Sequence, residues 1–309
     1  MLFELHNVQK MYGNFEALEG ITLSVEEGSV GLLGPNGAGK STLIKVLLGL
    51  LEMSRGSASV LGYRLPDDTH RIRQAIGYMP ENDCYLPYMT AVRYVSLMGE
   101  LTGMPKSEAF SRAHEALYYV GLGEARYRKL SGFSTGMKQR VKLAQALVHG
   151  PKLVFLDEPT NGLDPTGRDE MLDLIDDVKA RGVSIVLSSH ILYDVERVCS
   201  SVIMLNQGQL VHHGPIAELT SGDTERVVDV QTKNQDEQLR EALISRGFDA
   251  SREGFRLKVR MEPDDDPRKI LDVAVEEGIQ IRHFMPGELT LEKAFLGLLS
   301  EHEHEETSM

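Results

Sequence analysis

A glycine-rich run near the start of the chain has the residue types and spacing needed to hold phosphate. It reads Gly34-Pro35-Asn36-Gly37-Ala38-Gly39-Lys40-Ser41-Thr42 and fits the pattern G-x-x-x-x-G-K-[ST]. The glycines let successive backbone N–H groups turn inward around phosphate oxygens. Lys40 brings a positive charge for the β- and γ-phosphates, and Ser41 brings a hydroxyl for Mg²⁺. The run therefore predicts a nucleotide site.

Two adjacent carboxylates follow a later apolar segment and predict the second half of the same site. Leu153-Val154-Phe155-Leu156 leads directly into Asp157 and Glu158. A buried strand that ends in two charges needs partners for them. We expect Asp157 in the Mg²⁺ shell and Glu158 next to the attacking water, which it polarises. Neighbouring side chains on a strand point to opposite faces, so both reach one site only at the strand's end.

The elements around these residues predict an α/β fold with a parallel sheet. The run 30–33 is an apolar strand that enters the glycine loop, and a helix follows it. The runs 153–156 and 184–187 are almost continuously apolar, as in parallel strands buried on both faces. Residues 169–181 between them fit a crossover helix. A closing hairpin is predicted around Asn206-Gln207-Gly208.

A helical subdomain, about residues 84–150, is predicted between the two strand-rich segments. Apolar residues recur at helical spacing in residues 90–101 and 107–120. A third helix is predicted over residues 135–148, because Gly150 and Pro151 end it.

The last quarter of the chain predicts a separate, small α+β domain over residues 221–300. Its element order is β-α-β-β-α-β, which indicates a ferredoxin-like fold. A further helix is predicted over residues 289–299. The acidic tail 301–309 contains histidines, and we interpret it as a solvated terminus rather than a metal site.

Three more motifs stand in a fixed order around the carboxylates, and with them the chain resembles the ABC-type ATPases. The motifs are Phe133-Ser134-Thr135-Gly136-Met137, Gly162-Leu163-Asp164-Pro165 and Ser188-Ser189-His190. In that family they are the signature motif, the D-loop and the switch histidine. The resemblance covers about residues 2–218 and implies an ABC-type ATP-binding domain over residues 1–220, with a RecA-like core and antiparallel β and helical subdomains.

The resemblance implies a head-to-tail dimer that encloses two ATP molecules with Mg²⁺. Ser134 and Gly136 of one chain would complete the site that Lys40 and Asp157 build in the other. A helix N-terminus offered to a γ-phosphate in this way acts as an electrostatic clamp. ATP would therefore hold the dimer together, and hydrolysis would release it.

The remaining site residues are assigned by the same resemblance. His190 would contact the γ-phosphate beside Glu158, and Asp164 would lie in the D-loop at the nucleotide. Tyr12 resembles the aromatic residue that stacks on adenine. Glu81 follows Ile76-Gly77-Tyr78-Met79-Pro80, where the family usually has a glutamine that touches Mg²⁺. A carboxylate can still bind a hard cation, so we expect Glu81 at the metal.

The resemblance favours the ATP-hydrolysing subunit of a membrane transporter, with an ABC-2-type exporter as the subclass. The segment Leu289-Thr290-Leu291-Glu292-Lys293-Ala294-Phe295-Leu296 is similar to the C-terminal segment of that group. A separate permease would dock near Glu81 and residues 90–120. The alternative is a soluble ABC-type ATPase that acts on nucleic acid or ribosomes. A kinase or GTPase with the same phosphate loop would need neither Ser134 nor His190.

Composition argues against a nucleic-acid partner and a membrane span. The 309 residues carry a formal net charge of −13, so broad phosphate neutralisation is unfavourable. No apolar run approaches the ~20 residues that cross a bilayer. The N-terminus lacks the layout of a signal peptide, and two cysteines fit a reducing compartment. We expect a cytoplasmic protein held at the inner face of the membrane by its permease.

Overall fold

The computed structural model describes residues 1–220, 226–253, 256–261, 265–287 and 291–298. The chain divides into two compact units, Met1–Ile216 and Ala217–Gly297.

The first unit alternates strands and helices. Its strands are β1 (Phe3–Tyr12), β2 (Phe15–Val25), β3 (Ser29–Leu33), β4 (Arg55–Val60), β5 (Tyr63–Leu65), β6 (Ile76–Met79), β7 (Leu153–Asp157), β8 (Ser184–Ser188), β9 (Ser201–Asn206) and β10 (Gln209–Pro215). The helices up to residue 220 are α1 (Lys40–Leu47), α2 (Thr69–Ala75), α3 (Ala91–Leu101), α4 (Lys106–Tyr119), α5 (Thr135–Leu147), α6 (Pro165–Ala180), α7 (Leu192–Val198) and α8 (Ile216–Thr220). Two 3₁₀ turns, Glu124–Tyr127 and Leu130–Gly132, precede α5.

A six-stranded sheet forms the centre of this unit, in the order β10-β9-β3-β8-β7-β6. All neighbours are parallel except β9 and β10, which form the predicted hairpin. β3, β7 and β8 are buried along their whole length, as their continuous apolar character predicts. The predicted parallel strands are therefore confirmed.

Parallel pairing explains why residues from distant parts of the sequence meet. The glycine loop follows the carboxyl end of β3, Asp157 ends β7, and His190 comes just after β8. In a parallel sheet these ends lie at one edge, where α/β proteins bind their ligands.

A second, antiparallel sheet has the order β2-β1-β4-β5 and extends further than the sequence indicates. Only residues 2–5 and 21–25 alternate clearly, yet β1 and β2 form one hairpin that turns at Gly13 and Asn14. The outer part of this hairpin is exposed, so its side chains carry no clear apolar pattern.

The three predicted helices of the inserted segment are confirmed as α3, α4 and α5, within one or two residues at each end. Their shared core contains Val95, Ala109, Leu117 and Val141, which are fully buried. The crossover helix is also confirmed, but α6 begins earlier than predicted because Asp164 caps it and Pro165 opens it.

The second unit has the predicted ferredoxin-like topology. Its elements are β11 (Arg226–Thr232), α9 (Asp236–Ser245), β12 (Asp249–Glu253), β13 (Arg256–Met261), α10 (Arg268–Glu276) and β14 (Ile281–Gly287). The sheet order is β12-β13-β11-β14, with antiparallel neighbours throughout. Residues 291–298 are helical. The ends of the predicted helix 289–299 and the tail 301–309 lie outside the described residues.

The core of this unit is built by alternate apolar side chains of β11 and β13 together with the inner faces of α9 and α10. It includes Val228, Leu257, Leu239 and Ile270, each fully buried. Within the described part of the chain, no helix is long and apolar enough to cross a membrane.

Gly77 tests how tightly the central sheet packs against α5. A Cβ atom at this position in β6 would lie 2.1 Å from the Ala146 carbonyl oxygen. Gly77→Ala should therefore lower the free energy of unfolding by about 1–3 kcal/mol, because backbone must move to admit the methyl group. Urea denaturation measures this change. Gly132→Ala is the control, since its nearest neighbour is 4.0 Å away. Equal effects of the two substitutions would contradict the packing argument.

Candidate functional site

The glycine loop adopts backbone conformations that require glycine at two of its positions. Gly39 has φ 102° and caps the start of α1, a conformation that is strained for residues with a Cβ. At Gly34, with φ 154°, a Cβ atom would lie 2.3 Å from the Leu205 carbonyl oxygen. The tip of the loop, Pro35 to Gly37, is exposed. The first N–H groups of α1 have no carbonyl partner within the helix, so they are suited to an anion.

Lys40 is folded back into this loop and is buried. Its Nζ donates hydrogen bonds to the carbonyl oxygens of Gly34 (2.7 Å) and Pro35 (3.1 Å). Burial lowers the pKa of Lys40, and the charges of Glu158 and Asp157 act in the opposite direction. A positive charge thus stands at the centre of the loop, held by carbonyl oxygens that phosphate oxygens can replace.

The two carboxylates reach the site because the chain turns sharply after β7. Asp157 is the last residue of the strand, and Glu158 has φ 50°, a left-handed value that is unusual for a residue with a Cβ. This turn breaks the strict alternation of a strand and is the kind of strain found at functional sites. Both residues are buried, and burial raises the pKa of each.

Glu158 is held by His190 from the neighbouring loop. The His190 backbone N–H donates to Oε1 (3.1 Å), and the ring Nδ1 lies 2.8 Å from Oε2. The Glu158 N–H in turn donates to the Ser188 carbonyl oxygen (2.9 Å). Glu158 is 8% exposed, whereas the His190 side chain is 60% exposed. The histidine therefore fixes the carboxylate while most of its ring is exposed to solvent.

The donor chemistry of three predicted residues fits Mg²⁺. Ser41 lies in the first turn of α1, and the charges of Asp157 and Glu81 both raise the pKa of the adjacent Lys40. These residues offer only oxygen atoms, which Mg²⁺ prefers. Within the described residues there is no cluster of three or more histidine, cysteine or acidic side chains that would hold a metal alone.

The start of α5 forms a second polar surface in contact with the D-loop. Ser134 caps the helix, and its Oγ accepts a hydrogen bond from the Met137 N–H (3.3 Å). Ser134 and Thr135 are both exposed. A Cβ atom on Gly136 would lie 3.7 Å from Leu163, and one on Gly162 would lie 3.2 Å from Thr135. The exposed N-terminus of α5 is therefore packed against Gly162 and Leu163 of its own chain.

Two further predicted residues have local partners. The Asp164 carboxylate accepts a hydrogen bond from the Gly167 N–H (2.9 Å) and so caps α6. Tyr12 lies at the exposed end of β1, with the Lys10 Nζ 5.3 Å from the centroid of its ring. Their contacts with a nucleotide stay predictions.

Asp194 supports the site, although the sequence analysis overlooked it. It is completely buried, and its carboxylate accepts hydrogen bonds from the hydroxyls of Thr160 and Ser189. Thr160 follows Glu158 by two residues, and Ser189 precedes His190. Asp194 thus joins the two loops that hold these side chains. The available signal was a carboxylate four residues after His190, inside a short helix with an apolar face.

Lys142 is the second residue that was overlooked. It is 2% exposed, and its Nζ donates to the Glu81 carbonyl oxygen (2.7 Å). Burial lowers its pKa, while the nearby charge of Asp83 opposes this effect. A lysine among apolar positions of α5 was the signal that could have revealed it.

Comparisons with known proteins identify the class to which this site belongs. The family model described as ABC transporter matches residues 18–161. The uncharacterised ABC transporter ATP-binding protein YxlF of Bacillus subtilis is 37% identical over 235 residues, which is 76% of this chain and 78% of the relative. The daunorubicin/doxorubicin resistance ATP-binding protein DrrA of Streptomyces peucetius is 31% identical over 304 residues, which is 96% of this chain and 91% of the relative.

A solved structure has the same fold. It is the dimeric post-hydrolysis state of the ATP-binding cassette MJ0796 bound to ADP and Pi, with a TM-score of 0.63 and 26% identity. The match covers 70% of this chain and 99% of the cassette.

The chain belongs to the family of ABC transporter ATP-binding proteins. It is an ATPase, the nucleotide-hydrolysing subunit that powers an ABC transporter. The predicted family, fold class and enzyme activity are confirmed.

The buried Glu158 carboxylate should make the free energy of unfolding depend on pH. Its pKa is raised above the ordinary value of about 4.3, so the folded protein binds this proton more tightly than the unfolded chain. That contribution is complete below the ordinary pKa and is lost as pH rises through the raised one. Glu158→Gln removes the effect. Its free energy of unfolding should exceed that of the wild type by more at about pH 7 than at about pH 4.

Urea denaturation of the nucleotide-free protein at the two pH values measures this difference. The exposed Glu27 provides the control, because Glu27→Gln should leave the free energy of unfolding nearly unchanged at both. A difference between Glu158→Gln and the wild type that is the same at both pH values would contradict a raised pKa.

Proposed function

We propose that this chain works as a head-to-tail dimer in an ABC-2-type exporter, with two molecules of ATP and Mg²⁺ enclosed between the subunits. The observation that carries the proposal is the exposed N-terminus of α5. Ser134 and Thr135 are open to solvent, whereas Asp157 and Glu158 are buried beside the phosphate loop. A second copy that offers Ser134 to the bound γ-phosphate would complete the charge neutralisation.

Each residue of the loop surface has a definite part in hydrolysis. Lys40 neutralises the β- and γ-phosphates, and Glu158 orients and polarises the attacking water. His190 holds Glu158 through Nδ1, and the exposed part of its ring would contact the γ-phosphate. Ser41, Asp157 and Glu81 would hold Mg²⁺, which when bound supplies positive charge to the phosphate oxygens. Tyr12 would stack on adenine, and Asp164 would lie near the nucleotide of the neighbouring subunit.

This chain offers a groove near Glu81 in which a permease would dock. A cavity of about 380 Å³ lies between α2, α3 and α5, lined among others by Arg73, Met98 and Leu101. Gln145 lines this cavity, and its Nε2 donates to the carbonyl oxygen of Tyr78 (3.2 Å), three residues before Glu81. Movements of Glu81 would be transmitted to a membrane subunit bound in this groove. This contact would hold the ATPase at the inner face of the membrane.

The name of one relative supports a proposal for the direction of transport. One relative that spans nearly the whole chain is named for resistance to daunorubicin and doxorubicin. We therefore propose export, with the cargo selected by the separate membrane subunit. The net charge of −13 supports this assignment over an ATPase that acts on nucleic acid.

Glu158→Gln should convert the chain into a stable ATP-bound dimer. The substitution leaves the phosphate and metal contacts in place and removes only the activation of water. Size-exclusion chromatography with ATP and Mg²⁺ should show a dimer that persists, and the nucleotide-free protein should elute as a monomer. The double variant Lys40→Ala, Glu158→Gln is the control and should stay monomeric because phosphate binding is lost. A monomer of Glu158→Gln at saturating ATP would overturn the proposal.

Two inactive variants should restore part of the ATPase activity when they are mixed. Ser134→Glu places a negative charge where a phosphate is expected, and Lys40→Ala damages the phosphate loop. In a head-to-tail dimer the mixed pair contains one site with an intact Lys40 and an intact Ser134. Steady-state phosphate release from each variant alone and from the mixture tests this arrangement. A mixture as inactive as its components would show that both residues serve the same subunit's site.

A further inference from the structure

One face of α5 is attached along its length to the segment that carries Glu81. We call residues 80–85, which follow β6, the Glu81 loop. At the centre of this face, Lys142 donates from Nζ to the Glu81 carbonyl oxygen at 2.7 Å. One turn earlier, the Lys138 Nζ lies 3.6 Å from the Asp83 carboxylate. The two lysines are four residues apart, so they project from the same side of the helix.

The two lysines differ in their surroundings. The Lys138 side chain is partly exposed and pairs with an exposed carboxylate, and such pairs contribute little. Lys142 is 2% exposed, and its Nζ donates to a neutral backbone oxygen. The acidic groups around it are Glu81, Asp83 and Asp157. A buried ammonium is a poor means of gaining stability, since an apolar side chain of similar volume often serves as well. What the ammonium secures is the position of the loop backbone.

The same helix presents the residue proposed to meet the partner's ATP. Ser134 caps α5 eight positions before Lys142, a distance of about 12 Å along the helix axis. At the other end of the contact face, the Tyr94 hydroxyl donates to the Gln145 side chain (2.7 Å) and lies 3.3 Å from the Cys84 carbonyl oxygen. α5 therefore spans from the Glu81 loop to the proposed dimer surface as one rigid element.

We propose that Lys142 is a positioning residue that fixes the Glu81 loop to α5, so that Glu81 and Ser134 move together. The inference rests on the proposed function, because it concerns the closing of the ATP-bound dimer. Glu81 would sense the metal and nucleotide in its own subunit, and α5 would carry the change in position to Ser134, which faces the other subunit's nucleotide. Lys142 would not touch ATP or the metal itself.

The first test follows the loop in the nucleotide-free protein. Lys142→Met keeps most of the side chain's volume and removes its charge and donor. A nitroxide spin label on the exposed Cys84 reports the mobility of this loop, because Cys199 is buried. In Lys142→Met the label should lose its immobilised spectral component, since the hydrogen bond that holds the Glu81 backbone is gone. Lys138→Met is the matched control on the same face and should keep most of that component. Equal loss in the two variants would overturn the inference, whatever the nucleotide does.

The second test measures dimer formation in the Glu158→Gln background. Lys142→Met should raise the ATP concentration for half-maximal dimer by about tenfold or more, while Lys138→Met should raise it less than about fivefold. ATP binding to the monomer, measured by equilibrium dialysis at low protein concentration without Mg²⁺, should stay unchanged because Lys40 is intact. Lys142→Arg, which keeps the charge and the donor, should recover part of the dimerisation.

Each outcome of this second test is decisive. If Glu158→Gln itself stays monomeric with ATP, the proposed function fails, and the spin-label measurement still decides whether Lys142 holds the loop. If Glu158→Gln dimerises and Lys142→Met behaves like Lys138→Met, the inference alone fails. The melting temperature should be unchanged or raised in Lys142→Met. Should that variant melt below the working temperature, Lys142→Gln replaces it, since its shorter uncharged amide cannot reach the Glu81 carbonyl.

Discussion

The structure depends on opposite charges that are buried together at the carboxyl edge of the central sheet. Lys40, Asp157 and Glu158 are all shielded from water, and each would be costly there without the others. Burial lowers the pKa of Lys40 and raises that of both carboxyls, so it disfavours the charged form of all three side chains. A phosphate chain with its metal adds both signs of charge to such a place. The strained φ of Glu158 belongs to the same arrangement.

The loops of Glu158 and His190 are joined by the buried carboxylate of Asp194. Asp194 accepts hydrogen bonds from the hydroxyls of Thr160 and Ser189. The Nε atom of Arg168 lies 3.9 Å from its Oδ1 and partly offsets its charge. Thr160 lies on the loop of Glu158 and Ser189 on that of His190. Asp194 therefore couples the positions of the two loops, one of which carries the histidine that fixes the Glu158 carboxylate while most of its ring faces outward.

Much of the site and the fold could be predicted from the sequence, because the decisive signals were local. The glycine loop needs a strand before it and a helix after it, and the apolar runs before Asp157 and His190 indicate parallel strands whose ends share an edge. The β-α-β-β-α-β order similarly indicated the topology of the second unit. The outer β1–β2 hairpin was underestimated because its exposed side chains follow no apolar alternation. Asp194 and Lys142 were overlooked because their importance lies in contacts between distant segments, which no local pattern reports.

Glu81 and Lys142 explain each other's presence in electrostatic terms. A carboxylate at position 81, where the family usually has a neutral amide, adds negative charge close to Asp157, and the charge of Glu81 acts to raise the pKa of Asp157. Lys142 places a buried positive charge beside the same loop, and the charges of Glu81 and Asp157 both act on it. Its hydrogen bond goes to the backbone of Glu81, and the Glu81 residue is exposed. The extra negative charge of Glu81 is thus offset by Lys142 in α5, the helix that Ser134 caps. The hydrogen bond of Lys142 also joins the Glu81 loop to this helix.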